Sequence, residues 1–183
     1  AVAIKLPGGH NVSNALAAIA VGLACDLSLA EIADGLASVE PVAGRLSVQR
    51  SADGASIIDD CYNANPGSVR AAIDLLAACP GRRVLLLGAM RELGPDSERL
   101  HIEMGAYAAE CGLDGLWGVG PELAPTVEVF GKGGRWFATL DEAQSAVAGA
   151  FASDSTVLVK GSRGAQMEQL LPALLGETES LSC

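Results

Sequence analysis

Residues 56–73 read S-I-I-D-D-C-Y-N-A-N-P-G-S-V-R-A-A-I, which is typical of an apolar strand, a polar loop and the start of a helix. The strand ends in Asp59 and Asp60, and Pro66 opens the helix. The loop between them carries three polar side chains: Tyr62, Asn63 and Asn65. In open α/β sheets, ligands bind at the carboxyl ends of the strands. Two interpretations stay open: these groups bind a ligand, or the acids end a strand and an asparagine caps the helix.

Strands and helices alternate on both sides of this stretch. The apolar runs V-L-L-L-G and T-V-L-V-K are continuous, as expected for a parallel sheet that is covered on both faces. We predict strands at 46–51, 55–60, 83–88, 114–119, 134–138 and 156–160. We predict helices in that region at 66–79, 96–111, 121–128, 140–152 and 163–175. The alternation indicates a doubly wound α/β domain.

The amino-terminal part of the chain is helical. Residues 11–25 are rich in alanine, and Ser28-Leu29-Ala30-Glu31 forms a capping-box pattern that predicts a helix to about residue 39. These two helices are too few for a domain. We therefore divide the chain into helices at 1–40, a linker at 41–45, the α/β domain at 46–176 and a polar tail at 177–183.

Composition excludes several classes of function. The formal charge of −10 argues against sequence-independent nucleic-acid binding, which needs a basic surface. No apolar run is long enough to cross a bilayer, so we expect no membrane insertion. The five cysteines include no C-x-x-C pair, which indicates small apolar side chains in a reducing compartment. We expect a cytoplasmic protein.

Three further places carry candidate ligand-binding groups. Asn11 and Asn14 lie in the first turn of a helix, where free N–H groups attract phosphates, although asparagine also caps ordinary helices. Arg45 lies at the carboxyl end of the linker, where its side chain either contacts a ligand or is solvated at the surface. Lys160, Ser162 and Arg163 follow a buried strand, where they bind a carboxylate or phosphate, or only solvate a loop. No G-x-x-x-x-G-K-[ST] phosphate loop is present in the sequence.

Taken in order, the motifs resemble those of the Mur ligase family. They are P-G-G-H-N-V-S-N-A-L-A-A at 7–18, V-A-G-R at 42–45, I-I-D-D-C-Y-N-A-N-P-G-S-V-R-A-A at 57–72, L-G-A-M-R-E-L-G at 87–94 and V-L-V-K-G-S-R at 157–163. The D-D-x-Y-N-A-N-P and K-G-S-R forms are most similar to members that add a D-alanyl-D-alanine dipeptide.

The resemblance implies a three-domain, ATP-dependent ligase of peptidoglycan precursor synthesis. This chain would be a Rossmann-like carboxyl-terminal domain preceded by the last helices of the central ATP-binding domain. The implied substrates are ATP, UDP-N-acetylmuramoyl-tripeptide and D-alanyl-D-alanine, which react through an acyl phosphate. The implied Mg²⁺ would be held by residues outside this chain, so we expect no metal ligands here and no ligase activity from these residues alone.

The resemblance also implies roles for single residues. Residues matching the ATP-binding motifs are His10, Asn11, Asn14, Arg45, Asp60, Tyr62 and Asn65. Residues matching the dipeptide loop are Asn63, Lys160, Ser162 and Arg163. Ala89 departs from the pattern, because the family commonly has an acid there. A sister ligase, a folylpolyglutamate-type synthetase and a non-catalytic binding module remain alternatives.

Overall fold

The computed structural model describes residue 2, residues 4–5, residues 9–40 and residues 42–176. The chain divides into two compact units, Ala1–Val42 and Ala43–Cys183. The predicted tail at 177–183 and part of the predicted linker at 41–45 lie outside the described residues.

The described part of the first unit contains two helices. Helix α1 spans Gly9–Ala24 and α2 spans Leu29–Ser38. The predicted capping box is confirmed: the Glu31 N–H donates to Ser28 Oγ at 3.3 Å, and the Ser28 N–H donates to Glu31 Oε2 at 2.9 Å. Large apolar side chains of this unit are exposed, namely Val12, Leu16, Val21, Leu23, Leu27 and Leu29.

In the second unit, residues 43–176 contain one six-stranded sheet. Its strands are β1 (Ser47–Arg50), β2 (Ser56–Asp60), β3 (Arg82–Gly88), β4 (Gly115–Val119), β5 (Gly134–Phe137) and β6 (Ser155–Lys160). The order across the sheet is β1-β2-β6-β3-β4-β5. Only β1 is antiparallel to its neighbour, so the prediction of a mostly parallel sheet is confirmed.

Helices cover both faces of the sheet, because the strands carry apolar side chains on both sides. On one face lie α3 (Pro66–Ala77), α4 (Ser97–Glu110) and α5 (Ala124–Phe130), which pack against alternate strand residues such as Ile58, Leu85 and Leu158. On the other face lie α6 (Leu140–Val147) and α7 (Leu171–Leu175), which pack against Ile57, Leu86 and Val157. The doubly wound α/β prediction is therefore confirmed.

Two predicted helices were too long. The helix predicted at 163–175 is two 3₁₀ turns, Arg163–Ala165 and Met167–Leu170, followed by α7. Gln166 between them has φ 51°, a left-handed conformation that interrupts an α-helix. The helix predicted at 140–152 ends at Val147, two residues before Gly149 with φ 64°. The helix predicted at 121–128 begins as a 3₁₀ turn and continues to Phe130.

The order of the strands creates a switch point between β3 and β6. After β3 the chain continues into α4 on one face, and after β6 it continues towards α7 on the other. The adjacent strand ends approach closely because both carry glycine: a Cβ built at Gly88 or Gly161 would lie within 2.7 Å of the buried Met167 side chain. Ligands of open α/β sheets bind at such a point.

Candidate functional site

Three loops at the carboxyl edge of the sheet line one cleft of about 570 Å³. They follow β2, β3 and β6, which are neighbours or next neighbours in the sheet. The lining residues are Tyr62, Asn63, Ala64, Asn65, Arg91, Glu92, Leu93, Ser162, Arg163 and Gly164. The cleft therefore lies at the switch point of the sheet.

A buried ion pair lies at the base of two of these loops. Lys160 Nζ is 2.5 Å from Asp60 Oδ2 and donates a second hydrogen bond to the Asn63 carbonyl at 3.0 Å. The Lys160 side chain is 2% exposed and the Asp60 side chain 16%. Since neither residue lines the cleft, the pair joins the loop after β2 to the end of β6 from below.

The loop after β2 is held by its own polar side chains. Asn65 Oδ1 accepts from the Ser68 N–H at 2.9 Å, and Ser68 Oγ accepts from the Asn65 N–H at 3.0 Å, so Asn65 caps α3. Asn63 Oδ1 accepts from the N–H of Ala64 at 2.8 Å. The helix-cap interpretation of Asn65 is therefore confirmed, and its Oδ1 is already engaged.

Arg45 stacks on Tyr62 at the start of the same loop. The Arg45 guanidinium carbon lies 4.2 Å from the centre of the Tyr62 ring, and both side chains are exposed. The Tyr62 N–H donates to the Gly44 carbonyl at 3.0 Å. Gly44 has φ 76°, and a Cβ there would lie 3.1 Å from the Tyr62 nitrogen, so only glycine fits without displacement.

Asp59 fixes the segment that carries Arg45. Its Oδ2 accepts from the Gly44 N–H at 2.9 Å and from Ser47 Oγ at 3.4 Å, and its Oδ1 accepts from the Cys61 N–H at 3.1 Å. Asp59 is buried, and burial together with this carboxylate raises the pKa of the Cys61 thiol. Asp59 therefore has a structural role, and Cys61 stays a neutral thiol.

The loop after β3 is anchored through a buried histidine of α4. His101 Nε2 accepts from the Met90 N–H at 2.9 Å, and its Nδ1 lies 2.7 Å from the Ser97 carbonyl. This pattern requires a neutral ring with its proton on Nδ1. The anchored segment presents Arg91 and Glu92 to the cleft, and Arg91 pairs with Glu122 at 3.4 Å.

The loop after β6 contributes a buried hydroxyl and an exposed cation. The Ser162 N–H donates to the Ala89 carbonyl at 3.0 Å, which joins this loop to the one after β3. Ser162 Oγ is buried and has no hydrogen-bond partner among the described residues. Arg163 is largely exposed and lies 3.3 Å from Glu168.

Asn11 and Asn14 lie together in the first unit. Asn14 Nδ2 donates to Asn11 Oδ1 at 3.0 Å within the first turns of α1, which confirms that the two amides share a face. His10 belongs to the same helix, but its side chain lies outside the described part of the structure.

The cleft unites only some of the residues that the sequence indicated. Among those predicted, Tyr62, Asn63, Asn65, Ser162 and Arg163 line it. Asp60 and Lys160 pair beneath it, and Arg45 lies against Tyr62. Arg91 and Glu92 also line the cleft and were not predicted as site residues, although both follow a buried strand in L-G-A-M-R-E-L-G, a signal that could have identified them.

The described residues contain no other recognisable centre. No group of three or more His, Cys, Asp or Glu residues among them could hold a metal ion. Within the same part of the chain, no helix has both the length and the apolar character needed to cross a bilayer. Cys25, Cys61, Cys79 and Cys111 are free thiols.

Comparison with known proteins assigns the fold to a family. Residues 44–163 match the family described as Mur ligase, glutamate ligase domain. The chain is 40% identical to the UDP-N-acetylmuramoyl-tripeptide–D-alanyl-D-alanine ligase of Escherichia coli (strain K12), covering 94% of this chain and 38% of that relative. It is 32% identical to the ligase of the same name from Bacillus subtilis (strain 168), and that match covers 94% of this chain and 39% of that relative.

Solved structures agree with this assignment. A crystal structure of MurF from Acinetobacter baumannii superposes with a TM-score of 0.86 at 35% identity, covering 96% of this chain and 39% of that one. The MurF ligase of Thermotoga maritima in complex with ADP gives a TM-score of 0.78 at 29% identity, and the match covers 94% of this chain and 39% of that one. This chain belongs to the Mur ligase family, and it spans about two fifths of the length of these relatives.

Proposed function

We propose that this chain works as the carboxyl-terminal part of an ATP-dependent ligase that joins D-alanyl-D-alanine to UDP-N-acetylmuramoyl-tripeptide in peptidoglycan precursor synthesis. One observation carries the proposal. Three loops with ligand-binding side chains line a single cleft at the sheet's switch point, in a chain of the Mur ligase family. We place this reaction in the cytoplasm, where ATP is available.

The first unit is assigned to the central ATP-binding domain of that ligase. The apolar side chains exposed on α1 and α2 support this assignment, because a soluble helix pair of this size rarely leaves so many uncovered. We propose that these side chains pack against the rest of that domain and that residues 41–45 form a hinge. Light scattering tests this: the isolated chain should self-associate, and serine replacements of Leu16 and Val21 should reduce that association.

Two sets of residues are assigned to ATP. In the first unit, we assign His10, Asn11 and Asn14 to the polar edge of the adenine. In the second unit, we assign Arg45, Asp60, Tyr62 and Asn65 to ATP, with Asp60 towards the ribose and Tyr62 stacked near the nucleotide. The exposed stack of Arg45 on Tyr62 supports this role, because a flat cationic surface suits a purine or its phosphates.

The dipeptide is assigned to the cleft of the second unit. We propose that Asn63, Ser162 and Arg163 contact it directly, since all three line the cleft. Lys160 supports the same site indirectly. Its ammonium donates hydrogen bonds to Asp60 and to the Asn63 carbonyl, which fixes the loop after β2 that the ligand would contact.

The proposed chemistry has two steps. A carboxylate oxygen of the tripeptide attacks the γ-phosphorus of ATP, the bond to ADP breaks and an acyl phosphate forms. The deprotonated amine of the dipeptide then attacks the acyl carbon, and inorganic phosphate leaves as the amide bond forms. The loops of this chain contribute orientation of the amine and exclusion of water from the acyl phosphate.

The described residues do not fit a magnesium site of their own, since they contain no cluster of three potential ligands. No step is therefore assigned to a metal held by this chain. The sequence also contains no phosphate loop, so these 183 residues alone are expected to lack ligase activity.

A chimera tests the function. This chain replaces the corresponding 38% of the Escherichia coli relative, and phosphate release is measured with ATP and the UDP-linked tripeptide. We expect release that depends on D-alanyl-D-alanine and is not supported by lysine, glutamate or diaminopimelate. A folded chimera that accepts a single amino acid instead would point to a sister ligase, and one that accepts nothing would point to a binding module.

A further inference from the structure

The cleft carries charges of both signs, and one of them is unpaired. Its charged lining residues are Arg91, Glu92 and Arg163. Arg91 has Glu122 as a partner and Arg163 has Glu168. Among the residues that the structure describes, none forms a hydrogen bond or an ion pair with the Glu92 carboxylate. The cleft therefore carries, besides its two guanidinium groups, an exposed carboxylate that no described protein group neutralises.

The backbone of Glu92 is held in an unfavourable conformation. Its φ is 63°, a region that costs energy for any residue with a Cβ and that glycine occupies freely. Neighbouring hydrogen bonds hold the segment in place, from Met90 to His101 and from Ser162 to Ala89. Strain of this kind collects at ligand-binding positions, where the side chain must point in one direction.

The loop after β6 adds to the same cleft a hydroxyl that is able to donate a hydrogen bond. Ser162 is 3% exposed, lines the cleft, and its hydroxyl has no partner among the described residues. A buried polar atom without a partner is costly unless a ligand or water satisfies it. Together with the guanidinium of Arg163, this hydroxyl suits a carboxylate.

We infer that Glu92 receives the ammonium group of the dipeptide, while Ser162 and Arg163 receive its carboxylate. This assignment rests on the proposed function and deepens it: it makes Glu92 the residue that selects a free amine and sets the direction in which the dipeptide lies. The small methyl of Ala89 supplies no charge at the start of the same loop, so Glu92 is the acid that this loop presents to the cleft.

Two ligands that differ at the amino end test the assignment, one with an ammonium group and one with a neutral acetamide. The isotope-labelled chain is titrated with D-alanyl-D-alanine and with N-acetyl-D-alanyl-D-alanine, which lacks the ammonium group, and backbone amide shifts are followed at 89–94 and 161–164. We expect the wild-type chain to bind the free dipeptide about tenfold more tightly, as befits a charge-assisted hydrogen bond. Glu92→Gln should lose this preference, and Glu110→Gln, a control in an exposed carboxylate at the far end of α4, should keep it.

A glycine variant separates binding from folding. Glu92→Gly removes the carboxylate and also relieves the strained φ, so its thermal midpoint should be no lower than that of the wild type while the preference for the free amine is lost. An unchanged preference in both Glu92 variants would overturn the assignment. Equal wild-type affinity for the two ligands would also overturn it and leave the proposed function standing. A folded wild-type chain that binds neither ligand would overturn both.

Discussion

The ammonium of Lys160 lies 2.5 Å from the carboxylate of Asp60, although the two residues are 100 positions apart in the chain. The pair forms because β2 and β6 are adjacent and parallel, with Asp60 directly opposite Lys160 at their carboxyl ends. Both side chains are largely removed from solvent, so each charge stabilises the other in a region of low dielectric constant.

Removing the Lys160 ammonium is expected to destabilise the fold strongly. Lys160→Met leaves the Asp60 carboxylate and the Asn63 carbonyl without their shared donor, and should lower the free energy of unfolding by about 3 to 5 kcal/mol. Urea denaturation measures this change. Lys132→Met, which removes an exposed ammonium, serves as the control, and a Lys160→Met loss no larger than that of the control would contradict the prediction.

The buried His101 is expected to control the order of the loop after β3. His101→Leu keeps the volume but leaves the Met90 N–H without an acceptor, which should cost about 1 to 3 kcal/mol and speed hydrogen exchange at the Met90 amide. His101→Gln should restore part of the protection, because its amide oxygen can accept the same hydrogen bond. Equal exchange rates in the wild type and the leucine variant would show that the histidine does not anchor the loop.

Gly44 is expected to tolerate no side chain. Gly44→Ala places a Cβ 3.1 Å from the Tyr62 nitrogen at φ 76°, and should lower the free energy of unfolding by about 1 to 2 kcal/mol. Gly67→Ala is the matched control in the same unit. Gly67 lies in the first turn of α3, where a Cβ makes only ordinary contact, so that variant should be as stable as the wild type or slightly more so.

Asn65 is expected to matter for stability through its cap. Asn65→Ala removes the acceptor of the Ser68 N–H and should cost about 1 kcal/mol, whereas Asn65→Ser should retain most of the stability. Thermal unfolding distinguishes the two variants. If the alanine variant is as stable as the wild type, the hydrogen bond to Ser68 does not stabilise α3.

Tyr107 is expected to titrate at unusually high pH. Its hydroxyl donates to Asp74 Oδ1 at 2.5 Å, and this hydrogen bond is the main cause that raises the pKa of Tyr107 to about 12. The neutral phenol is favoured in the folded state. Its contribution to stability is therefore complete below the ordinary tyrosine pKa of about 10 and is lost as the pH rises through about 12.

Ultraviolet titration of the phenolate measures this shift. The sequence contains two tyrosines, so a Tyr62→Phe background leaves Tyr107 as the reporter. Adding Asp74→Ala should bring the midpoint back towards the ordinary value, since the acceptor is gone. An unchanged midpoint would mean that Asp74 is not the cause.

Most strands were predictable because their signal is local. The continuous apolar runs that form β3 and β6 require burial on both faces, and the structure gives them nearly the predicted ends. The single helix predicted after β6 was wrong. Its apolar spacing suits a helix, but Gln166 takes a left-handed conformation, and the next residue, Met167, packs against the glycines at the strand ends. These contacts are with distant residues, so the pattern within the segment does not reveal them.

The candidate site was predictable only in part. Polar loops after β2 and β6 could be placed at one edge, since carboxyl ends of parallel strands lie together. Glu92 was not predicted: its place directly after a buried strand was a signal, but only the structure shows its strained backbone and its position in the cleft. Asp60 and Lys160 were assigned to different ligands, and the structure pairs them with each other.

The amino-acid sequence by itself determined the fold class, the family and which loops carry polar groups, because burial patterns and turn residues act over a few neighbouring positions. Only the tertiary structure decided that β6 lies between β2 and β3, and hence which charges neutralise one another and which face the cleft. Which strands are neighbours depends on the free energy of contacts between segments that are distant in the sequence, and the pattern of one segment does not reveal those contacts.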